Sequence, residues 1–152
     1  MATVMAMVTA TATDMEKSKG LTIAVDFDGT IVEHEYPKIG KEIPFAIDTL
    51  IELANEGHRI VLWTVREGQL LTDAVEFCSK RGLEFYAINS DTRTGSLFEK
   101  PQTRKLRADV YIDDRNIGGI PDWGTIYETI TGMQMKRDAK KRKKKRFSLF
   151  GR

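Results

Sequence analysis

From residue 21 onward the chain alternates short apolar runs with amphipathic stretches, and the apolar runs end abruptly on polar groups. "LTIAV" (21–25) runs straight into Asp26 and Asp28, then turns with Gly29 and Thr30. "HRIVLWT" (58–64) ends on Thr64, with Arg66 and Glu67 beyond it. "LEFYAIN" (83–89) is a third run, and "ADVYI" (108–112) ends on Asp113, Asp114 and Arg115. Short apolar runs bounded in this way predict strands. Between the first two, "IPFAIDTLIELANEG" (43–57) predicts a helix with Ala46, Ile47, Leu50, Ile51 and Ala54 on one face, Pro44 in its first turn and Gly57 at its close. "EGQLLTDAVEFCSKRG" (67–82) predicts a second, with Leu71, Ala74, Val75 and Cys78 inward and Gly82 at its end. A last short helix is predicted over "WGTIYETI" (123–130). This alternation implies an α/β fold: a single three-layer, doubly wound, Rossmann-like domain with a mainly parallel sheet and helices on both faces.

The chain's 152 residues suffice for one domain and one sizeable core. Hydrophobic residues at 41% and charged ones at 30% fit a soluble globular protein, and no apolar run approaches a membrane span. Residues 1–20 lack a basic start and a sustained apolar block, so a disordered leader is expected there and not a secretory signal. The single cysteine, Cys78, excludes a disulfide framework and makes a reducing cytoplasm the simplest setting. Its helical spacing with Leu71, Ala74 and Val75 marks it as a small core residue. The net charge of +2 hides an asymmetry: residues 136–152 hold ten of the 24 basic residues and one of the 22 acidic ones, so this tail carries +9 and the rest of the chain −7.

In doubly wound folds the site lies beyond the carboxyl ends of the strands. That rule gathers Asp26 and Asp28, Thr64, Arg66 and Glu67, and Asp113, Asp114 and Arg115 at one edge. Like charges in partly buried positions are costly unless a cation offsets them, so either these acids are solvated or they hold a metal. An all-oxygen set suits magnesium, which takes one or two carboxylates and completes its shell with water and substrate phosphate. Acids, a hydroxyl and basic groups around such an ion suit phosphoryl transfer, where catalysis is mostly positioning and charge stabilisation.

"DFDGT" resembles the first motif, DxDxT, of the haloacid dehalogenase superfamily of phosphohydrolases; "VLWT" resembles its second and "VYIDD" its fourth. The resemblance covers residues 21–131. It implies that Asp26 is the nucleophile and a magnesium ligand, and that Asp28 is the general acid/base with its backbone carbonyl on the metal. It implies that Thr64 bonds the phosphoryl oxygens, and that Asp113 and Asp114 complete the metal site, Asp114 directly and Asp113 from behind. Arg66 would clamp phosphate or another substrate group, with Gly29 of the turn also on the substrate side. The third motif is a lysine, for which Lys105 and Lys100 both qualify; the "KLRADVYIDDR" context favours Lys105. Other readings of the same residues are a polar strand end at Asp26 and Asp28, a cap at Thr64, a turn at Asp113 and Asp114, and a solvated Arg66. His34 and His58 read as loop and helix-exit residues, and Trp63 and Trp123 as core or half-buried.

Many members of that superfamily carry a cap domain after the first motif or between the second and third. Neither gap here has room for an independent domain of about fifty residues, so a capless member is expected, its open entrance lined by residues 33–42 and 90–104. The leading functional expectation is a magnesium-dependent phosphomonoester hydrolase working through an aspartyl-phosphate intermediate on a phosphorylated substrate, possible as a homo-oligomer. The alternative is a catalytically weak module of the same fold that binds nucleic acid or anionic membrane through residues 136–152.

Overall fold

The computed structural model of the chain describes residues 20–90 and 105–150, the side chains of 149 and 150 excepted. Four strands, β1 (Thr22–Val25), β2 (Arg59–Leu62), β3 (Ala87–Ile88) and β4 (Val110–Ile112), form one sheet in the order β3-β2-β1-β4. Every pairing is parallel, with Val25 opposite Leu62 on one side and Ile112 on the other. Three helices are interleaved: α1 (Ala46–Asn55), α2 (Gly68–Ser79) and α3 (Trp123–Phe150). Among the described residues no helix is long and apolar enough to cross a membrane.

Alternation along each strand sorts the core. Ile23, Val25, Ile60 and Leu62 point to the face where α1, α2 and α3 lie, joined there by Leu50, Leu53, Ala74, Cys78, Ile126 and Ile130. Ala24, Val61 and Ala87 point to the other face, where Leu106 covers them. All three described helices share the first face, so among the described residues the expected helical cover is met on that face alone. Handedness explains this. The crossovers β1-α1-β2 and β2-α2-β3 step the same way across the sheet, and right-handed connections then place both helices on one side. The step from β3 back past β1 to β4 runs the other way, and the described part of its connection, at Leu106, lies on the opposite face. The rest of that connection, residues 91–104, lies outside the described residues, as do 1–19 of the expected leader.

Two elements differ in length from the periodicity. "LEFYAIN" yields a strand of two residues, which among the described strands pairs with β2 alone. The last helix continues well past Ile130, through the basic tail, to Phe150. α1 begins at Ala46, so Pro44 sits ahead of its first turn.

Candidate active site

The strand order reverses between β1 and β4: β1 leads one way to β2, and β4 is reached from the other side. A parallel sheet opens a crevice at such a point, beyond the carboxyl ends of its strands. Asp26 follows β1 there, and Asp113 and Asp114 follow β4, with Asp26 N–H continuing the ladder to Ile112 O at 3.0 Å. One carboxylate oxygen from each of these three residues lies within 4.8 Å of the others. Oxygens that share a divalent cation at about 2.0–2.6 Å stand up to about 4–5 Å apart, so one ion reaches all three. Asp114 Oδ1 is buried without a hydrogen-bond partner, the acceptor that a cation would satisfy. The donor set therefore fits a hard divalent ion.

The turn after β1 is built around Asp114. Thr30 Oγ1, fully buried, accepts from Asp114 N–H at 3.1 Å. Gly29 has φ +81°, and a Cβ there would stand 2.3 Å from Asp114 Oδ2. Glycine is needed on both counts: the left-handed backbone and the close approach of a carboxylate. Gly29 thus makes room for an acid of the cluster.

Burial pushes the Asp26 carboxyl from 3.8 up to about 7, with Asp113, Asp114 and Asp28 adding repulsion and a hydrogen bond from Phe27 N–H opposing it. A bound cation would remove most of that penalty.

Asp28 and Arg66 are drawn to each other. Arg66 is fully buried and Asp28 is 6% exposed. Arg66 Nε and Nη2 donate to Asp28 Oδ2 and Oδ1, both at 2.7 Å, and Nη1 and Nη2 also donate to Pro37 O at 3.0 Å and Lys38 O at 2.7 Å. Four of five guanidinium N–H groups are thus engaged, and the cation lies against the Phe27 and Tyr36 rings. This corrects the expected phosphate clamp: Arg66 is an internal partner of Asp28, and the Asp28 carboxylate stands outside the acid cluster. Among the described residues the arginine that lines the cleft is Arg115, whose backbone N–H donates to Asp113 Oδ1 at 2.8 Å.

The cleft, of about 360 Å³, is lined by Asp26, Asp28 and Asp113 together with His34, Tyr36, Trp63, Val65 and Arg115. Trp63 also packs on Tyr111, with ring centroids 5.4 Å apart. Thr64 is held just beside it, its N–H donating to Asn89 Oδ1 at 2.9 Å and its Oγ1 accepting from Arg66 N–H at 3.2 Å. Lys105 is exposed, with its Nζ 4.8 Å from the centre of the Tyr111 ring, and it is not among the residues lining the cleft. Lys100 lies outside the described residues. His58 is structural: its Nδ1 accepts from Leu21 N–H at 3.0 Å, and burial lowers its proton affinity. Cys78 is buried, its thiol pushed up to about 12 by burial, and is unsuited to attack.

A solved structure from Bacteroides thetaiotaomicron, described as a conserved protein, is 60% identical to the chain and superposes with a TM-score of 0.67 over 75% of this chain and 92% of that one. The chain belongs to that protein's family. No family model and no curated protein matches it. The family thus shares the parallel α/β scaffold on which the acid cluster is mounted.

The sequence did not point to Asn89 or Val65, and it reached Tyr36, like His34, only as part of the 33–42 loop expected at the entrance. Asn89 carried one readable signal, an amide-bearing residue at the end of an apolar run, and it adopts φ +49° there. Tyr36 and Val65 are exposed apolar side chains in loops, which carry no periodicity to flag them.

Proposed function

We propose that the chain is a magnesium-dependent phosphomonoester hydrolase of the haloacid dehalogenase type, without a cap, acting through an aspartyl phosphate. The observation that carries this reading is the three-carboxylate cluster at the β1–β4 crevice with the buried, unpartnered Asp114 Oδ1. Magnesium held by Asp26, Asp113 and Asp114 would supply charge neutralisation for the phosphoryl group. Asp26 attacks phosphorus; the new P–O bond forms as the bond to the leaving alcohol breaks. Water then attacks phosphorus, and the P–O bond to Asp26 breaks as the water proton passes to a base. Asp28 lines the cleft and, although both its oxygens accept from Arg66, it has further lone pairs for that proton. To donate as an acid it must release one of the two Arg66 bonds. Thr64 Oγ1 keeps its hydroxyl proton for a phosphoryl oxygen, and Arg115 is the cation on hand for its charge.

A second reading, a binding protein of the same fold with little turnover, is favoured by Lys105, whose ammonium lies over Tyr111 and not in the cleft. A hydrolysis screen of nucleotides, sugar phosphates and phosphopeptides with magnesium separates the two. Turnover of any class that stops with chelator supports the hydrolase; none with any class leaves the binding protein.

A further inference from the structure

α3 continues past the end of its apolar face. Trp123, Ile126 and Ile130 are buried at helical spacing, and Arg137 ties the helix to the body, its Nη1 3.4 Å from Asp109 Oδ2. Asp109 precedes β4 and bonds Thr22 N–H at the start of β1, so this tie marks the edge of the sheet opposite the acid cluster. Beyond it the helix runs to Phe150, roughly 20 Å further at 1.5 Å per residue. Every residue from 139 to 148 is exposed.

That segment holds Lys140, Lys141, Arg142, Lys143, Lys144, Lys145 and Arg146 in succession. Consecutive helical positions turn by about 100°, so the seven charges encircle the rod. A helix that lies in a membrane surface needs an apolar face along its length, whereas residues 139–148 hold one large apolar side chain, Phe147, 85% exposed, and the sequence adds only Leu149 and Phe150 at the very end of α3, beyond the run of charges. A duplex offers phosphates on both walls of a groove, which suits a rod charged all round. Like charges one turn apart also repel along this helix, and phosphates would relieve that repulsion. The acidic remainder of the chain opposes flat docking of the body and confines the contact to the helix.

We propose that residues 139–148 are a nucleic-acid-binding helix that contacts the phosphate backbone without reading sequence, on the far side of the fold from the cleft. Contacts to phosphate fix a protein's place on a duplex and carry no sequence information directly, and an unbroken run of positive charge is suited to such contacts.

The test uses the full chain and a labelled mixed-sequence duplex of about 20 base pairs, followed by anisotropy, with phosphatidylcholine vesicles containing phosphatidylserine in parallel. Four engaged phosphates weaken binding on the order of a hundredfold between about 50 and about 200 mM salt. Joint Lys140→Gln, Lys141→Gln, Arg142→Gln, Lys143→Gln, Lys144→Gln, Lys145→Gln and Arg146→Gln should abolish binding at the lower salt; a Phe147→Ala variant should bind as the unaltered chain does. Glutamine keeps helix propensity at exposed positions, and an unchanged melting temperature would verify the fold. No duplex binding at the lower salt overturns the proposal. So does binding that survives the glutamine set, or vesicle binding that needs Phe147 and outcompetes the duplex.

Discussion

Arg66 grips Asp28 through two parallel hydrogen bonds of 2.7 Å while also holding the carbonyls of Pro37 and Lys38. One buried guanidinium therefore joins the turn after β1, the loop over the cleft and the segment after β2. The pair fixes where Asp28 points, and so what it can do for a substrate.

Removing Arg66 should be costly. An Arg66→Met change leaves a buried carboxylate without its partner, for which about 3–5 kcal/mol of stability is expected to be lost. Arg66→Lys should recover little, since an ammonium cannot reproduce the fork. Urea unfolding of both variants checks this; a loss under about 1 kcal/mol would mean that Asp28 finds water instead.

Gly29→Ala should harm the proposed metal centre. The added Cβ would stand 2.3 Å from Asp114 Oδ2 on a backbone at φ +81°. The carboxylate must then move, and magnesium affinity measured by calorimetry should fall by at least about tenfold, the scale on which misoriented ligands weaken metal sites. Unchanged affinity would show that Asp114 is not held in its binding position by this contact.

The acid cluster predicts a pH dependence. Asp26 has a folded value of about 7 against 3.8 unfolded, so between these values the folded state holds a proton that the unfolded state has lost. Its contribution to stability therefore falls as pH rises from about 4 to about 7 and stays low above that. In chelator, Asp26→Asn should melt higher than the unaltered chain at pH 8, with the gap closing toward pH 5. Added magnesium should raise the melting temperature of the unaltered chain more at pH 8 than at pH 6, because the proton and the cation compete. A gap that is constant with pH would remove the raised Asp26 from the account.

The parts legible in the sequence are those set by local pattern. β1 and β4 end on charges so abruptly that Asp26, Asp113 and Asp114 could be placed at one edge before any coordinates, and they meet there. Arg66 could not be read, because its partner is 38 residues away and nothing local distinguishes an internal guanidinium from a substrate clamp. The extension of α3 was hidden for another reason: a block of like charge reads as a solvated tail, yet lysine and arginine are strong helix formers once a docked segment such as 123–130 supplies the nucleus. The one-sided packing of the helices follows from handedness and strand order, and strand order is not written in periodicity.

In the proposed reaction Asp26 attacks a phosphate ester within a metal-holding cluster. The most direct measurement is turnover of the best small phosphate ester by the full chain and by Asp26→Asn, each with magnesium and with chelator. A neutral amide is no nucleophile toward phosphorus, so the account predicts turnover that needs magnesium in the unaltered chain and falls by at least about a thousandfold in the variant, while the variant folds normally. Near-full turnover by Asp26→Asn, or turnover by the unaltered chain that persists in chelator, would contradict it.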